Sequence, residues 1–309
     1  MGFDNAYESI TEGVDDARWA FGTGFEDPLS GIDTTLPDGV DADELATYCL
    51  MLGDDALIMS HRLQQWCTRL PELEEEVAIA NIALDLLGQA RLLLARSAAA
   101  SGAAGEDHLA FFRDEHEFRN VRLAELENGD FGELIARLLV FATWRLAVFS
   151  RLTGSPDPVL SAIAAKGVKE LRYHRDYVAQ WAVRLGDGTP YSRQRIAAGL
   201  ETVWPYVDEL FTHPVDHGQK HPSEPAGEVI AHDQHGGGVG VGIDLASVRE
   251  EFDEVLAQVF RAATLQIPDV SPLPGVGGRA GRDGVHTEAM GYLLAEMQSV
   301  ARAHPDGTW

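Results

Sequence analysis

Two stretches of this chain, residues 72–98 and 133–153, have helical length and are apolar on nearly every side. The first carries Val77, Ile79, Ile82, Leu84, Leu86, Leu87, Leu92 and Leu93, and the second reads ELIARLLVFATWRLAVFSRLT. A helix without a polar face is expected to be surrounded by other elements. The rest of the chain supplies covering helices. Residues 44–66 follow a helical pattern that Gly53 is expected to interrupt. Pro71 and the Glu run after it suit a helix first turn. Residues 159–185 make a long helix closed by Gly186-Asp187-Gly188, and further helices are expected over 191–211, from Asp244 to about Gln266, and over 288–303 with Thr287 as N-cap. No stretch alternates as a strand between hairpin turns, and no repeat of 20–50 residues is present. The expected fold is all-α: four long core helices plus additional C-terminal helices in one domain. Residues 1–43 read as an acidic, mostly irregular extension, residues 44–309 as the helical domain, and 212–243 as its His/Gly-rich loop.

Charge narrows the function. Forty-nine acids stand against 24 bases, for a formal charge of −25. That excludes a phosphate-backbone binder, which needs a basic footprint, and argues against an anionic membrane surface. No apolar run reaches the ~18–20 residues that span a bilayer, and the N-terminus lacks the basic and apolar regions of a signal peptide. A cytoplasmic location is expected. Cys49 and Cys67 form no metal or disulfide motif and are expected to be buried helix residues. Only Lys166, Lys169 and Lys220 are lysines; the other 21 bases are Arg. This fits an acidic, halophile-type surface, or a genome that favours Arg codons.

The helix 159–185 carries the candidate chemistry. At 100° per residue, Ile163, Tyr177 and Trp181 fall within about 20° of Glu170, and Lys166, Tyr173 and His174 within about 60°. Lys166, Glu170 and His174 therefore share the face that a bundle is expected to bury. Buried charges must be paired or ligate metal, and di-iron bundles take a Glu from two helices and Glu-x-x-His from two others. Here Glu170 is followed at the third position by Tyr173, and the expected buried acid Asp85 by Gly88. The helix 133–153 has no acid after Glu133, and 44–66 offers Asp54, Asp55 and His61. The set falls short of six ligands. It reads as a vestigial di-iron position at Asp85, Gly88, Glu170, Tyr173 and His174, with no metal and no catalytic residue in this chain. Lys166 or Lys169 is expected to neutralise Glu170 and Asp85 where a metal would stand. The alternative keeps a metal on Asp85, Glu170, His174 and an acid near Asp55.

Other motifs are weak. The Gly-rich stretches 236–242 and 275–281 follow no strand, which disfavours a phosphate cradle. His213, His217, His221, His232 and His235 are irregularly spaced for zinc, and no nucleophile elbow is present.

Residues 52–66 (LGDDALIMSHRLQQW), 72–91 (ELEEEVAIANIALDLLGQAR), 169–174 (KELRYH) and 284–298 (GVHTEAMGYLLAEMQ), with terminal Trp309, resemble the PaaC-type structural subunit of phenylacetyl-CoA 1,2-epoxidase, the multicomponent oxygenase of aerobic phenylacetate degradation. The resemblance spans roughly residues 44–309. It implies a ferritin-like fold and a non-catalytic subunit that pairs with and supports a related di-iron catalytic subunit. It also implies electrons from NADPH through a separate flavin and iron–sulfur reductase, which this chain meets only indirectly. A self-sufficient di-iron carboxylate oxygenase or oxidase, and a metal-handling bundle, are the readings that the missing Glu-x-x-His disfavours. Phe111, Phe112, Phe118 and the C-terminal helix are the expected partner surface.

Overall fold

A computed structural model describes residues 29–70, 72–213 and 240–307. Pro71, Thr308, Trp309, most of the expected extension, and most of the 212–243 loop with His217, His221, His232 and His235 lie outside the described residues. Among the described residues there are nine α-helices and no named strand, only an isolated bridge between Val276 and Arg279. The fold is an all-α, ferritin-like bundle. Its four long helices are α1 (Ala42–Gln64), α2 (Leu73–Ser101), α5 (Phe131–Leu152) and α6 (Pro158–Gly186). The shorter ones are α3 (Glu106–Phe111), α4 (Arg122–Glu125), α7 (Pro190–Val203), α8 (Arg249–Ala263) and α9 (Glu288–Ala303). Helix α1 packs along α2 and α5 along α6, while α7 and α8 cover α5 and α6.

The helix starts follow from their caps. Asp41 accepts from the backbone N–H groups of Asp43 and Glu44, Asp130 from Glu133, and Asp157 from Leu160, with Pro158 in the first turn of α6. The capping sequence Thr189-Pro190 opens α7. Thr287 precedes α9 as expected, but its side chain makes no cap; its N–H donates instead to Glu125 Oε1. Gly53 does not interrupt α1. It lies mid-helix, where an added Cβ would stand 2.9 Å from Leu94 Cδ2, so glycine there lets α1 and α2 approach closely. At the α5–α7 crossing a Cβ on Gly199 would meet Glu133 Cα at 2.6 Å.

Helix α5 is buried almost throughout, as its composition requires. Helix α2 is not: Leu73, Val77 and Leu84 are exposed. By length and composition α2 is apolar enough to cross a membrane, contrary to the reading of the raw sequence, but 50% of the qualifying window is buried inside the bundle. Cys49 is buried, where desolvation pushes its thiol up, and Cys67 is exposed rather than buried. Residues 29–41 run irregularly along the bundle, with Arg96 Nη1 donating to the Thr34 carbonyl at 2.7 Å.

Buried carboxylates hold the irregular segments to the helices. Asp54 binds Arg113, Asp55 binds Arg282, Asp157 binds Arg96, and Glu209 binds Arg122. Asp55 also accepts from Val121 N–H at 2.9 Å, and Glu209 from Gly281 N–H at 3.0 Å, so the end of the Pro/Gly loop before α9 is fastened through the neighbouring residues Gly281 and Arg282. Glu125 accepts from Asn120 Nδ2 at 2.9 Å and from His286 Nδ1 at 2.7 Å, while His286 Nε2 faces the Phe118 carbonyl at 3.2 Å. Both ring nitrogens thus meet acceptors, which is satisfied by the doubly protonated ring. Burial presses the His286 pKa down, but the bond to Glu125, its charge and the Phe118 carbonyl outweigh burial and raise it.

A raised folded-state pKa means that the pair's contribution is fully present below the unfolded value of about 6.5 and is lost as pH rises through the folded value. His286→Ala is expected to cost about 3–5 kcal/mol at pH 5.5, the range for breaking a buried pair. The gap to the parent chain should narrow towards pH 9. Urea unfolding across that range checks this, and a pH-independent gap contradicts it.

Candidate functional site

Helices α2 and α6 meet along a line of polar side chains that also reaches α1 and α5. His174 Nε2 lies 2.9 Å from Asp85 Oδ2. Gln89 Nε2 donates to Glu170 Oε2 at 3.0 Å, and Lys166 pairs with Glu170 one turn away. On the inner side Arg145 Nε donates to Gln89 Oε1 at 2.9 Å, and its Nη1 to the Leu52 carbonyl at 3.2 Å. One chain of contacts, Leu52–Arg145–Gln89–Glu170–Lys166, therefore joins all four long helices.

Arg145 is the buried charge of this cluster. Its side chain is enclosed, with the guanidinium 4.4 Å from the Phe149 ring centre and 5.7 Å from that of Phe141. Burial pushes its pKa down to about 10, against the pull of Asp55 and Glu170, so it is charged at neutral pH. The space around it is filled. A Cβ on Gly167 would stand 2.6 Å from Phe149 Cδ1 and 3.5 Å from Gln89 Cδ.

The buried face of α6 is not the one centred on Glu170. Gly167, Val168, Leu171, His174, Val178 and Ala182 are buried, a stripe rotated by roughly 80° from Glu170 at 100° per residue. Lys166 keeps 38% of its side chain exposed, Tyr173 is exposed, and Lys169 is fully on the solvent side. Asp85, expected to be buried, keeps 36% of its side chain exposed. Gly88 points away from the cluster, with nothing within 4 Å of an added Cβ. The structure thus brings Asp85, Glu170 and His174 together, leaves Tyr173 beside His174 at a ring separation of 6.2 Å, and keeps Lys169 and Gly88 apart from them. Lys166 faces Glu170, whereas Asp85 is met by His174 rather than by a lysine.

Asp54 and Asp55 do not join this cluster. Both are buried and committed to Arg113 and Arg282. Burial raises the Asp55 pKa, with Arg282 pulling against it. His61 lies 3.7 Å from Glu296 instead. Among the described residues no three His, Cys, Asp or Glu side chains group as a metal site.

The sequence reading passed over Gln89 and Arg145. A signal for Arg145 was present: a base inside an otherwise apolar run must find a partner when that helix is buried. Gln89, four residues after Asp85, could be placed only once α2 and α6 were packed. Phe118, expected on a partner surface, is fully buried with Arg113 over its ring at 4.0 Å, and Phe111 and Phe112 are half-buried.

The fold and this cluster define a ferritin-like helical bundle whose inner polar site is closed by its own side chains. A family model described as phenylacetic acid catabolic protein matches residues 33–309. The chain belongs to that family. It is also similar to the C subunit of 1,2-phenylacetyl-CoA epoxidase from Escherichia coli (strain K12), with 39% identity over 267 residues, covering 86% of this chain and 99% of that protein.

Two substitutions separate the cations by their weight. Arg145→Met is expected to cost about 1–3 kcal/mol, because it leaves Gln89 Oε1 and the Leu52 carbonyl buried without their donor. Lys166→Met should cost under about 1 kcal/mol, as for an ion pair open to solvent. Equal losses in urea unfolding would contradict the central place given to Arg145.

Proposed function

We propose that this chain is the non-catalytic, structural subunit of a phenylacetyl-CoA 1,2-epoxidase that acts in aerobic phenylacetate degradation. One observation carries the reading: the place where the four long helices converge is held by the Arg145 guanidinium and the Gln89 amide, not by converging carboxylates and imidazoles. A guanidinium cannot ligate a metal cation and repels one. Glu170 is engaged by Lys166 and Gln89, and Asp85 by His174. These residues do not fit a di-iron centre. They fit the closed remnant of one, in which Asp85, Glu170 and His174 occupy the vestigial position, with Tyr173 at its edge, Gly88 turned away from it and Lys166 compensating charge. Lys169 is too far out to share that task. The similarity to the C subunit of an epoxidase supports the same reading.

In this reading the di-iron site lies in the catalytic partner subunit. NADPH, flavin and iron–sulfur chemistry lie in a reductase that this chain meets only indirectly. The complex acts in the cytoplasm. What this chain contributes is rigidity. A catalytic bundle must hold its ligand helices within about 0.5 Å of working geometry. A second bundle packed against it supplies that restraint through an obligate interface of about 2,000 Å² or more.

The test is metal content by mass spectrometry, for the chain purified alone and after co-expression with the di-iron subunit, at high salt to suit the acidic surface. Iron absent from the lone chain and present at di-iron stoichiometry in the complex is the expected outcome. Di-iron stoichiometry in the lone chain would make it the self-sufficient oxygenase or oxidase instead.

A further inference from the structure

A cleft of about 560 Å³ lies between α3, the end of α9 and Arg91 of α2. Phe111, Phe112, Met297 and Val300 give it an apolar wall, and Glu106 and Asp107 add carboxylates. Val300 is 56% exposed, while Phe111, Phe112 and Met297 are half-buried. The walls are held in place. Arg302 donates to the Phe111 carbonyl at 3.2 Å and to the Arg113 carbonyl at 2.7 Å, and Gln298 donates to the Ala110 carbonyl at 3.1 Å. Arg91 donates twice to Glu106, and His108 stacks on Phe112 with ring centres 5.8 Å apart. A recess of this size falls in the range of about 300–1,000 Å³ that encloses a ring-bearing ligand.

The chain itself leads into this cleft. After α9 a turn closes with Gly307 N–H on the His304 carbonyl at 2.9 Å, and both residues line the cleft. Thr308 and Trp309 come next and lie outside the described residues. Two residues span at most about 7 Å, so the Trp309 Cα stays within that distance of the cleft's own wall. The choice for its side chain is between the recess and water. An indole pairs a broad apolar ring with one N–H that needs an acceptor when buried. The cleft offers both, with Phe111, Phe112 and Met297 for the ring and the Asp107 carboxylate for the N–H. The Arg91 guanidinium, which also lines it, suits the face of an indole. A tether this short holds the ring at an effective concentration of the order of millimolar. A second copy would instead approach against a formal charge of −25 on each chain.

We infer that Trp309 seats its indole in this cleft and latches the end of α9 onto α2 and α3. The inference stands apart from the role proposed for the subunit and holds or falls without it. Phe111 and Phe112, expected on a partner surface, are then covered by a residue of their own chain. That cover removes apolar rings from water, which is the driving term of the latch. The contact also has a structural consequence. Phe112 is followed by Arg113, whose guanidinium pairs with the buried Asp54 of α1. A ring packed on Phe112 steadies the segment that carries this pair, so the end of the chain reinforces an ion pair in the core.

The experiment uses the full chain labelled with fluorotryptophan and read by fluorine NMR, with Trp309→Phe to assign the Trp309 line among the six tryptophans. The expected line lies away from the position of free fluorotryptophan, shifts little between light and heavy water, and keeps its place on dilution. Val300→Glu, at an exposed position of the wall, should return it to the free position while the helical circular dichroism stays unchanged. Tyr292→Glu, exposed on α9 away from the cleft, should leave it where it is. Trp309→Ala, which alters no described residue, should speed amide exchange in the last turn of α9 and at Phe112 by about tenfold or more, as for a local opening. It keeps the test decisive if Val300→Glu does not fold. A Trp309 line at the free position in the parent overturns the inference, as does unchanged exchange in Trp309→Ala. A line that moves to the free position on dilution makes a second copy the source of the contact and overturns it too.

Discussion

A guanidinium enclosed between four helices has to be satisfied where it stands, because water cannot reach it and moving it out would open the core. Arg145 meets this demand with Nε on the Gln89 amide oxygen, Nη1 on the Leu52 carbonyl and the faces of Phe149 and Phe141, while its Nη2 has no hydrogen-bond partner among the described residues. Each of those partners is fixed by a different requirement. Gln89 turns its other end to Glu170, Leu52 lies on α1, and Phe149 occupies space that Gly167 leaves free. Contacts of this one buried charge and its neighbours thus join α1, α2, α5 and α6 within the apolar core.

The same logic extends outward. Carboxylates buried on α1, at the start of α6 and in the segment after α7 each meet an arginine from a loop or short element, or from α2. Among the described residues Arg62, Arg96, Arg113, Arg122, Arg137, Arg145 and Arg282 are buried. The preference for Arg over Lys therefore has an internal cause beside any surface or codon effect. A planar, multiply donating cation can satisfy a carboxylate and several carbonyls at once, whereas an ammonium at the same depth would leave acceptors unmatched. Arg282 does this with Asp55, the Met51 carbonyl and the Arg119 carbonyl.

The polar centre is engaged by groups of the bundle itself: Gln89 with Arg145 and Glu170, Lys166 with Glu170, and His174 with Asp85. On the long helices Leu73, Val77 and Leu84 of α2 and Tyr173 of α6 are exposed instead.

Helix positions and the all-α class were legible in the sequence, because a helix declares itself through apolar spacing, an Asp or Thr before its first turn and glycine after its last. The pairing partners of Glu170 and Asp85 were legible in part, since Lys166 and His174 sit at helical spacing from Glu170. What α2 turns to solvent was not. Val77 and Leu84 are indistinguishable in composition from Ile82 and Leu86, and only the direction in which α2 packs decides which pair is covered. Nor did the sequence place Gln89 against Arg145 across 56 residues, or bury Phe118 instead of exposing it. Local chemistry is written in neighbouring residues and can be read there. Which faces meet, and which charge ends in the centre, depends on the packing of elements far apart in the chain, which the tertiary structure alone decides.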